Sequence, residues 1–374
     1  MKVFISCGET SGDHYGASVV QALQSIQPSL QVFANGGSEL KKAGASILSD
    51  TTSKSTIGFI EPIQHIGYFI KLMAKTKSFI KKESIDIVII IDHQGFNIPL
   101  AKWCKKQSIP VASVFAPQFW MWGNEKQAKK FLESASIVAC VFSKEYDFYS
   151  SLDSKKTVFI GHPLVVELPE KKQVKQQILG LFPGSRAQEI KLLLPTIIKA
   201  AEQINKRLPN MVIKVAISSN HYKSDIQAAF KNSKLRVEFV SNSRQLIAEA
   251  TCSIASSGTV TLEHALIGTP CVVIYKLSRL SYAIAHFFVM KKIQEKCHGF
   301  IAMPNILAKK KILPEFLQHD VTEDIISNEV LNIVSDVEYQ NKMHVNFQEL
   351  KKTLVVDKNP FEPFARLVCD LIKK

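Results

Sequence analysis

The amino-acid sequence predicts two α/β layers, each on a mostly parallel sheet, joined by a short linker. Three observations carry this prediction. Apolar runs of strand length alternate with amphipathic helical stretches; the alternation breaks once, at a charged segment; and it then resumes. A length of 374 residues suits two cores better than one.

Along the chain, the first half offers strands at 3–6, 85–91, 111–115, 137–142 and 158–160, with helices at 16–26 and 100–106. The run at 85–91, Ile-Asp-Ile-Val-Ile-Ile-Ile, is nearly continuous and β-branched, as a strand covered by helices on both faces should be. At 165–176, VVELPEKKQVKQ, apolar content falls and charge rises, which places a domain boundary there and gives domains of 1–165 and 177–374. The pattern restarts with strands at 178–182, 212–217, 237–240, 252–255 and 271–275. The final stretch, 361–374, is amphipathic and suits a closing helix packed on either domain. Two such sheets are expected to leave a cleft at the carboxyl ends of their strands, so the chemistry is sought in the turns that follow strands.

Bulk properties narrow the function. The formal charge of +14 calls for an anionic partner: a phosphorylated substrate, an anionic lipid or nucleic acid. Nucleic acid ranks last, because the basic tracts at 126–130, 171–175 and 309–311 are short and scattered. The 7 cysteines lie far apart with no C-x-x-C pair and read as reduced core residues. There is no signal-peptide apolar region and no span of roughly 20 apolar residues, so a cytoplasmic protein is expected, one that can still lie on a membrane. The histidines lack metal-ligand spacing, and neither a P-loop nor a G-x-G-x-x-G turn follows a strand; no metal and no cofactor are expected.

Four turns fall where ligands bind. Gly8 to Gly16 is a glycine-punctuated turn entering a helix, suited to close approach of a polar ligand. Glycine and an N-cap alone explain such a turn, but not the packing of Glu9, Asp13 and His14 into it. After the strand at 85–91 comes Asp92-His93-Gln94-Gly95-Phe96-Asn97, where Asp92 is either a partly desolvated base or an N-cap. In the second half, Phe182-Pro183-Gly184-Ser185-Arg186 offers backbone donors and a guanidinium fork for a diphosphate. A cation there opposes the helix dipole unless an anion sits between them. Ser256-Ser257-Gly258-Thr259 repeats the arrangement, with Glu263 placed to accept from ribose hydroxyls; the alternative makes Ser257 or Thr259 an N-cap and Glu263 a first-turn carboxylate.

The ordered set of these motifs resembles the lipid-A-disaccharide synthase family of two-domain GT-B glycosyltransferases, whose domains are Rossmann-like sheets facing a cleft. The resemblance runs from Met1 to about Gln318. It rests on GETSGD at 8–13, IGFIEP at 57–62, the Asp92 to Asn97 element, PQFWMW at 117–122, Phe148-Tyr149, Gly161-His162-Pro163, LFPGSRAQEI at 181–190, SSGTVTLE at 256–263, PNIL at 304–307 and PEFLQ at 314–318. It implies inverting transfer of 2,3-diacylglucosamine from UDP to the 6-hydroxyl of 2,3-diacylglucosamine 1-phosphate. It puts the family's carboxylate on Asp92, its arginine on Arg186 and its nucleotide-side asparagine on Asn305. Asp13 and Glu9 stand in reserve as catalytic carboxylates. Gly184, Ser185, Arg186, Ser257, Gly258, Thr259, Glu263, Asn305 and Gln318 are expected on the donor, and Gly12, His14 and Asn97 on the acceptor. Other GT-B-type enzymes, the lipid-linked peptidoglycan precursor transferase and the UDP-sugar 2-epimerase, are the near alternatives. A non-catalytic binding protein that closes on a small anion is the distant one.

A membrane partner is expected as well. The stretch at 57–73 carries Phe59, Tyr68 and Phe69 beside Lys71, Lys75, Lys77, Lys81 and Lys82, an apolar surface next to a basic one. It reads as a seat on an anionic inner-membrane surface, or else as the buried face of a helix. A homodimer is left open.

Overall fold

The computed structural model describes residues 1–52, 66–278, 282, 290–355 and 359–373. The chain divides into two compact units, Met1–Val166 with Leu354–Lys374, and Glu167–Thr353.

In the first unit, β1 (Lys2–Ser6), β2 (Gln31–Gly36), β3 (Ser46–Asp50), β4 (Ile87–Ile91), β5 (Val111–Val114), β6 (Ile137–Cys140) and β7 (Thr157–Phe159) form a 7-stranded sheet in the order β3-β2-β1-β4-β5-β6-β7. Every pairing is parallel. All five residues of β4 are buried, as its β-branched run requires. Removing one such isoleucine side chain to alanine costs about 2–5 kcal/mol. β5 ends one residue earlier than expected because Phe115 takes a left-handed φ of 58°.

The second unit repeats the plan. β8 (Ile178–Phe182), β9 (Val212–Ala216), β10 (Val237–Val240), β11 (Cys252–Ser256), β12 (Cys271–Tyr275) and β13 (Glu315–Leu317) form a 6-stranded parallel sheet in the order β10-β9-β8-β11-β12-β13.

Both sheets reverse their strand order once, between β1 and β4 in the first and between β8 and β11 in the second. Such a switch point leaves a crevice outside the carboxyl ends of the two strands, because their following helices pack on opposite faces. The turns singled out in the sequence follow these four strands.

Further features differ from expectation, among them the helix after β4, which begins at Gln94 and not at 100. The helix after β1 begins at Thr10, not at 16, so Gly12, Asp13 and His14 lie in its first turns. Packing against Cys7 and Leu40 overrides the weak helix propensity of Gly12 and Gly16. β2, β3 and β13 were not expected; the last two are edge strands and are short or polar. The last helix, Phe361–Lys373, belongs to the first unit and not to a domain of 177–374. It buries Phe361, Phe364, Ala365, Val368 and Cys369, and Phe361 meets Tyr15 of the first helix at 6.3 Å. Among the described residues, no helix is long and apolar enough to cross a membrane.

Candidate active site

At the first switch point, the register sets Ser6 of β1 beside Ile90 of β4, so the turns after the two strands start side by side. Asn97 locks them together. Buried at 1% exposure, its amide donates to the carbonyls of Ser6 (3.1 Å), Ile91 (3.2 Å) and Asp92 (2.8 Å), and its oxygen accepts the Ser6 hydroxyl at 2.7 Å. That network holds Asp92 and His93 in consecutive left-handed conformations, each with φ 47°. Conformations of this kind cost about 1–3 kcal/mol apiece and persist where surrounding bonds enforce them.

The turn bears on the N-cap reading of Asp92. The helix Gln94–Lys106 is capped by the His93 backbone position, with no side-chain cap bond. The backbone amide of His93 lies close enough to the Asp92 carboxylate to favour its charged form. Solvent reaches Asp92, while the protein packed around it raises its pKa above the usual carboxylate range, partly offset by that amide. A reachable carboxylate with raised basicity matches what a general base needs.

His93 completes this wall and was not singled out in the sequence. Its ring covers Gly8 so closely that a Cβ there would stand 2.2 Å from Nδ1. It stacks on Phe96 at 5.8 Å and meets Phe69 at 5.4 Å, and desolvation lowers its pKa, favouring the neutral ring.

The other carboxylates of the first turn sit differently. Asp13 is 2% exposed and accepts the backbone amides of Gly37 (2.6 Å), Glu39 (2.9 Å) and Leu40 (3.2 Å). It thereby caps the helix Ser38–Lys42, which has no cap of its own. Glu9 is half-buried at the N-cap position of the first helix, Gly12 is buried beneath it, and His14 is half-buried with its ring 5.6 Å from Tyr15. Glu145, in the first turn of the helix Ser143–Leu152, is a carboxylate the sequence reading missed. It is 2% exposed and accepts the Val141 amide at 2.8 Å. Burial pushes its pKa up to about 8, backbone hydrogen bonds from Val141 and Phe142 hold it down, and the negative charge of Asp92 raises it further.

At the second switch point, β8 leads through Pro183 and Gly184 into the helix Ala187–Arg207. Gly184 has φ 116°, and its carbonyl accepts the Ser218 hydroxyl at 2.9 Å. Arg186 is the N-cap residue, without a side-chain cap bond, and Ser185 is exposed. The anion that the sequence demanded between this cation and the helix dipole is Glu189, 2.9 Å from the guanidinium. Ser256 ends β11 beside this turn, its hydroxyl 3.2 Å from where a Cβ on Gly184 would lie.

The helix Thr259–Ile267 then starts from Gly258 with no side-chain cap, so neither Ser257 nor Thr259 plays that part. Gly258 and Thr259 are exposed and Ser257 is half-buried. An uncapped, accessible helix N-terminus leaves backbone amides free to meet an anion. One turn on, Glu263 holds Arg244 at 2.9 Å, and Arg244 also lies 3.7 Å from Glu167. Burial raises the Glu263 pKa against the pull of Arg244.

Asn305 is fully buried and engaged by its own chain. Its oxygen accepts from Ile312 (2.8 Å) and Leu313 (2.9 Å), and its amide donates to Leu313 (2.9 Å) and Glu315 (3.0 Å). It knits the approach to β13 and so positions Gln318, which is half-buried with φ 51° just after that strand.

Phe59 lies outside the described residues. Tyr68 and Phe69 stand on the helix Ile66–Lys82 but pack against the first unit's core, and among the described side chains Ile70, 64% exposed, is a large apolar one that points outward there.

A family model described as lipid-A-disaccharide synthetase matches residues 3–362. The chain belongs to this family. Its relatives include the lipid-A-disaccharide synthase of Trichlorobacter lovleyi, 31% identical over an alignment of 365 residues that covers 94% of this chain and 93% of that protein. Lipid-A-disaccharide synthase 1 of Legionella pneumophila is 30% identical over 386 residues, covering 100% and 98%. A lipid-A-disaccharide synthase is a hexosyltransferase, which makes this chain a glycosyltransferase of lipid A biosynthesis.

Solved structures similar to this lipid-A-disaccharide synthase show its GT-B fold. The UDP-GlcNAc 2-epimerase from Neisseria meningitidis bound to UDP-GlcNAc superposes with a TM-score of 0.65, covering 100% of both chains at 12% identity. The glycotransferase of kitacinnamycin gives 0.65, covering 99% of this chain and 98% of its own, again at 12% identity. At that identity the likeness is one of fold alone, and the epimerase alternative gains nothing from it.

Proposed function

We propose that the chain transfers 2,3-diacylglucosamine from UDP to the 6-hydroxyl of 2,3-diacylglucosamine 1-phosphate, inverting the anomeric carbon. In this reading Asp92 takes the proton of the attacking hydroxyl. Arg186, the Ser185 amide and the helix N-terminus at Gly258 receive the departing diphosphate. The carrying observation is the division of chemistry between the switch points: one presents an accessible, basicity-raised carboxylate, the other a cation and uncapped amides. As the acceptor oxygen bonds to C1, the bond from C1 to the diphosphate oxygen breaks. The proton goes to Asp92 and the negative charge to the second site.

In the same reading, Gly12, His14 and Asn97 shape the acceptor side, Asn97 and Asp13 through the backbone they hold. On the donor side, Glu263 and Gln318 face the nucleoside, and Asn305 fixes Gln318. The test is UDP release from UDP-diacylglucosamine with and without the phosphorylated lipid acceptor. Acceptor-dependent release supports the assignment; epimerised donor, or binding without turnover, overturns it.

The enzyme works, in this proposal, at an anionic membrane surface. Support comes from the charge of +14 and from the helix Ile66–Lys82, where exposed Ile70 lies among Lys71, Lys75, Lys77 and Lys81. Ile70→Ser should weaken sedimentation with anionic liposomes at unchanged thermal stability; unchanged sedimentation removes this helix from the membrane seat.

A further inference from the structure

The Arg186 turn is already occupied by an anion. Glu189, the third residue of its helix, folds back over the helix start: its Oε2 accepts the Ser185 amide at 3.2 Å and its Oε1 takes the Arg186 guanidinium at 2.9 Å. These are two of the donors that the proposed diphosphate site offers, the helix start at Gly258 being the third. One carboxylate thus bridges a backbone amide and a guanidinium, as two phosphate oxygens would. Gly184 is part of the arrangement, since a Cβ there would stand 2.6 Å from Oε2 and 2.9 Å from the Glu189 Cβ.

The two partners differ in freedom. The Glu189 side chain is 11% exposed and that of Arg186 is 47% exposed, so the arginine can turn toward an arriving ligand while the carboxylate is hemmed in. A diphosphate seated on the same donors would face this carboxylate, like charge against like, with little water between them to screen it.

We infer that Glu189 is an internal stand-in for the donor's diphosphate, and that donor binding at this turn is an exchange of one anion for another. This rests on the donor-site reading above. The exchange keeps Arg186 and the helix start compensated in both states. It also sets a threshold: a ligand gains the site by its excess of charge and hydrogen bonding over one carboxylate, which favours a diphosphate over a lone phosphate.

Removing the charge should then tighten the donor nucleotide. Glu189→Gln keeps an oxygen for the Ser185 amide but loses the charge-assisted hold on Arg186. Titration calorimetry of UDP on the full chain should show affinity raised by about three- to tenfold, the release of a partly exposed pair plus a removed like charge. Glu189→Asp, one methylene shorter and unable to span to Ser185, should show part of the gain, and serves if the glutamine variant folds poorly. The preference for UDP over UMP should narrow in both.

Weaker or unchanged UDP binding in the folded variants overturns the inference and makes Glu189 a brace that sets the Arg186 pose. Arg186→Ala separates this from failure of the site itself. If it weakens UDP binding, the donor-site reading stands whatever Glu189 does; if it leaves UDP binding unchanged, that reading falls, and the inference with it.

Discussion

The two switch points share a topology and carry opposite chemistry. In the first, the strand-end turn is strained: Asp92 and His93 are left-handed non-glycine residues, held there by the buried side chain of Asn97. In the second, the left-handed position goes to Gly184, which any chain adopts at little cost, and the helix starts at Arg186 and Gly258 have no side-chain caps. Four helices elsewhere carry side-chain caps, from Asn124, Asn242, Thr322 and Asp336, whereas the helices of the first switch point start at Glu9 and His93 without one, so the uncapped starts are common to both points. Sheet topology thus decides where a ligand sits, and side chains decide its charge. A buried network holds one carboxylate in place at the first point, whereas a cation paired with Glu189 stands at the second.

The sharpest way to break this comparison is to remove the aimed group at each point and ask which quantity falls. Asp92→Asn keeps shape and loses basicity, and turnover should fall about a hundredfold to ten-thousandfold. UDP affinity and melting temperature should stay near wild type. Arg186→Ala should instead weaken UDP binding and lower turnover by about 2–5 kcal/mol, with lysine restoring part of it because charge returns without the fork. Equal losses of UDP affinity in both variants would erase the division of labour.

Much of this was legible in the sequence because parallel sheets buried on both faces write continuous apolar runs, as at β4 and β8, and because ligand turns follow them. β3 and β13 escaped notice, since edge strands need no such run. The side chains were harder to assign. Asp13, Glu9 and Asp92 look alike in a sequence, and what separates them is which amide lies within reach. Asp13 meets three amides contributed by the turn after β2, Gly37 to Leu40. Glu145 and Glu189 were passed over because a glutamate in a first helical turn is an ordinary cap, and its burial emerges only when neighbouring strands close around it.

That distinction gives the next test. Asp13→Asn would leave an amide donor facing backbone donors, at about 1–3 kcal/mol for an unsatisfied buried group. The melting temperature should fall by about 3–10 °C, with turnover per folded molecule close to wild type. A stable but inactive Asp13→Asn enzyme would move the proton-transfer role from Asp92 to the first turn.

The smallest expected effect is a pH slope, and it reports on the first switch point from inside. Glu145 is buried with its pKa raised from 4.5 to about 8. A carboxyl raised in this way holds its proton in the folded chain after the unfolded chain has lost it, so between pH 4.5 and about 8 the native state binds more protons. Its contribution to stability is therefore fully present below pH 4.5 and is lost as the pH rises through about 8. Glu145→Gln keeps an oxygen for the Val141 amide and removes the titration, so the wild type should lose about 2–4 °C relative to the variant across that window for each kcal/mol involved. Melting curves of both proteins at successive pH values give the difference, and parallel curves would mean that Glu145 ionises freely. The Asp92 charge is one cause of the raised value, so in an Asp92→Asn background the loss should be complete at a lower pH, while its onset near pH 4.5 stays in place. An unmoved upper end would show that the two carboxylates do not sense each other, and that burial alone keeps Glu145 protonated.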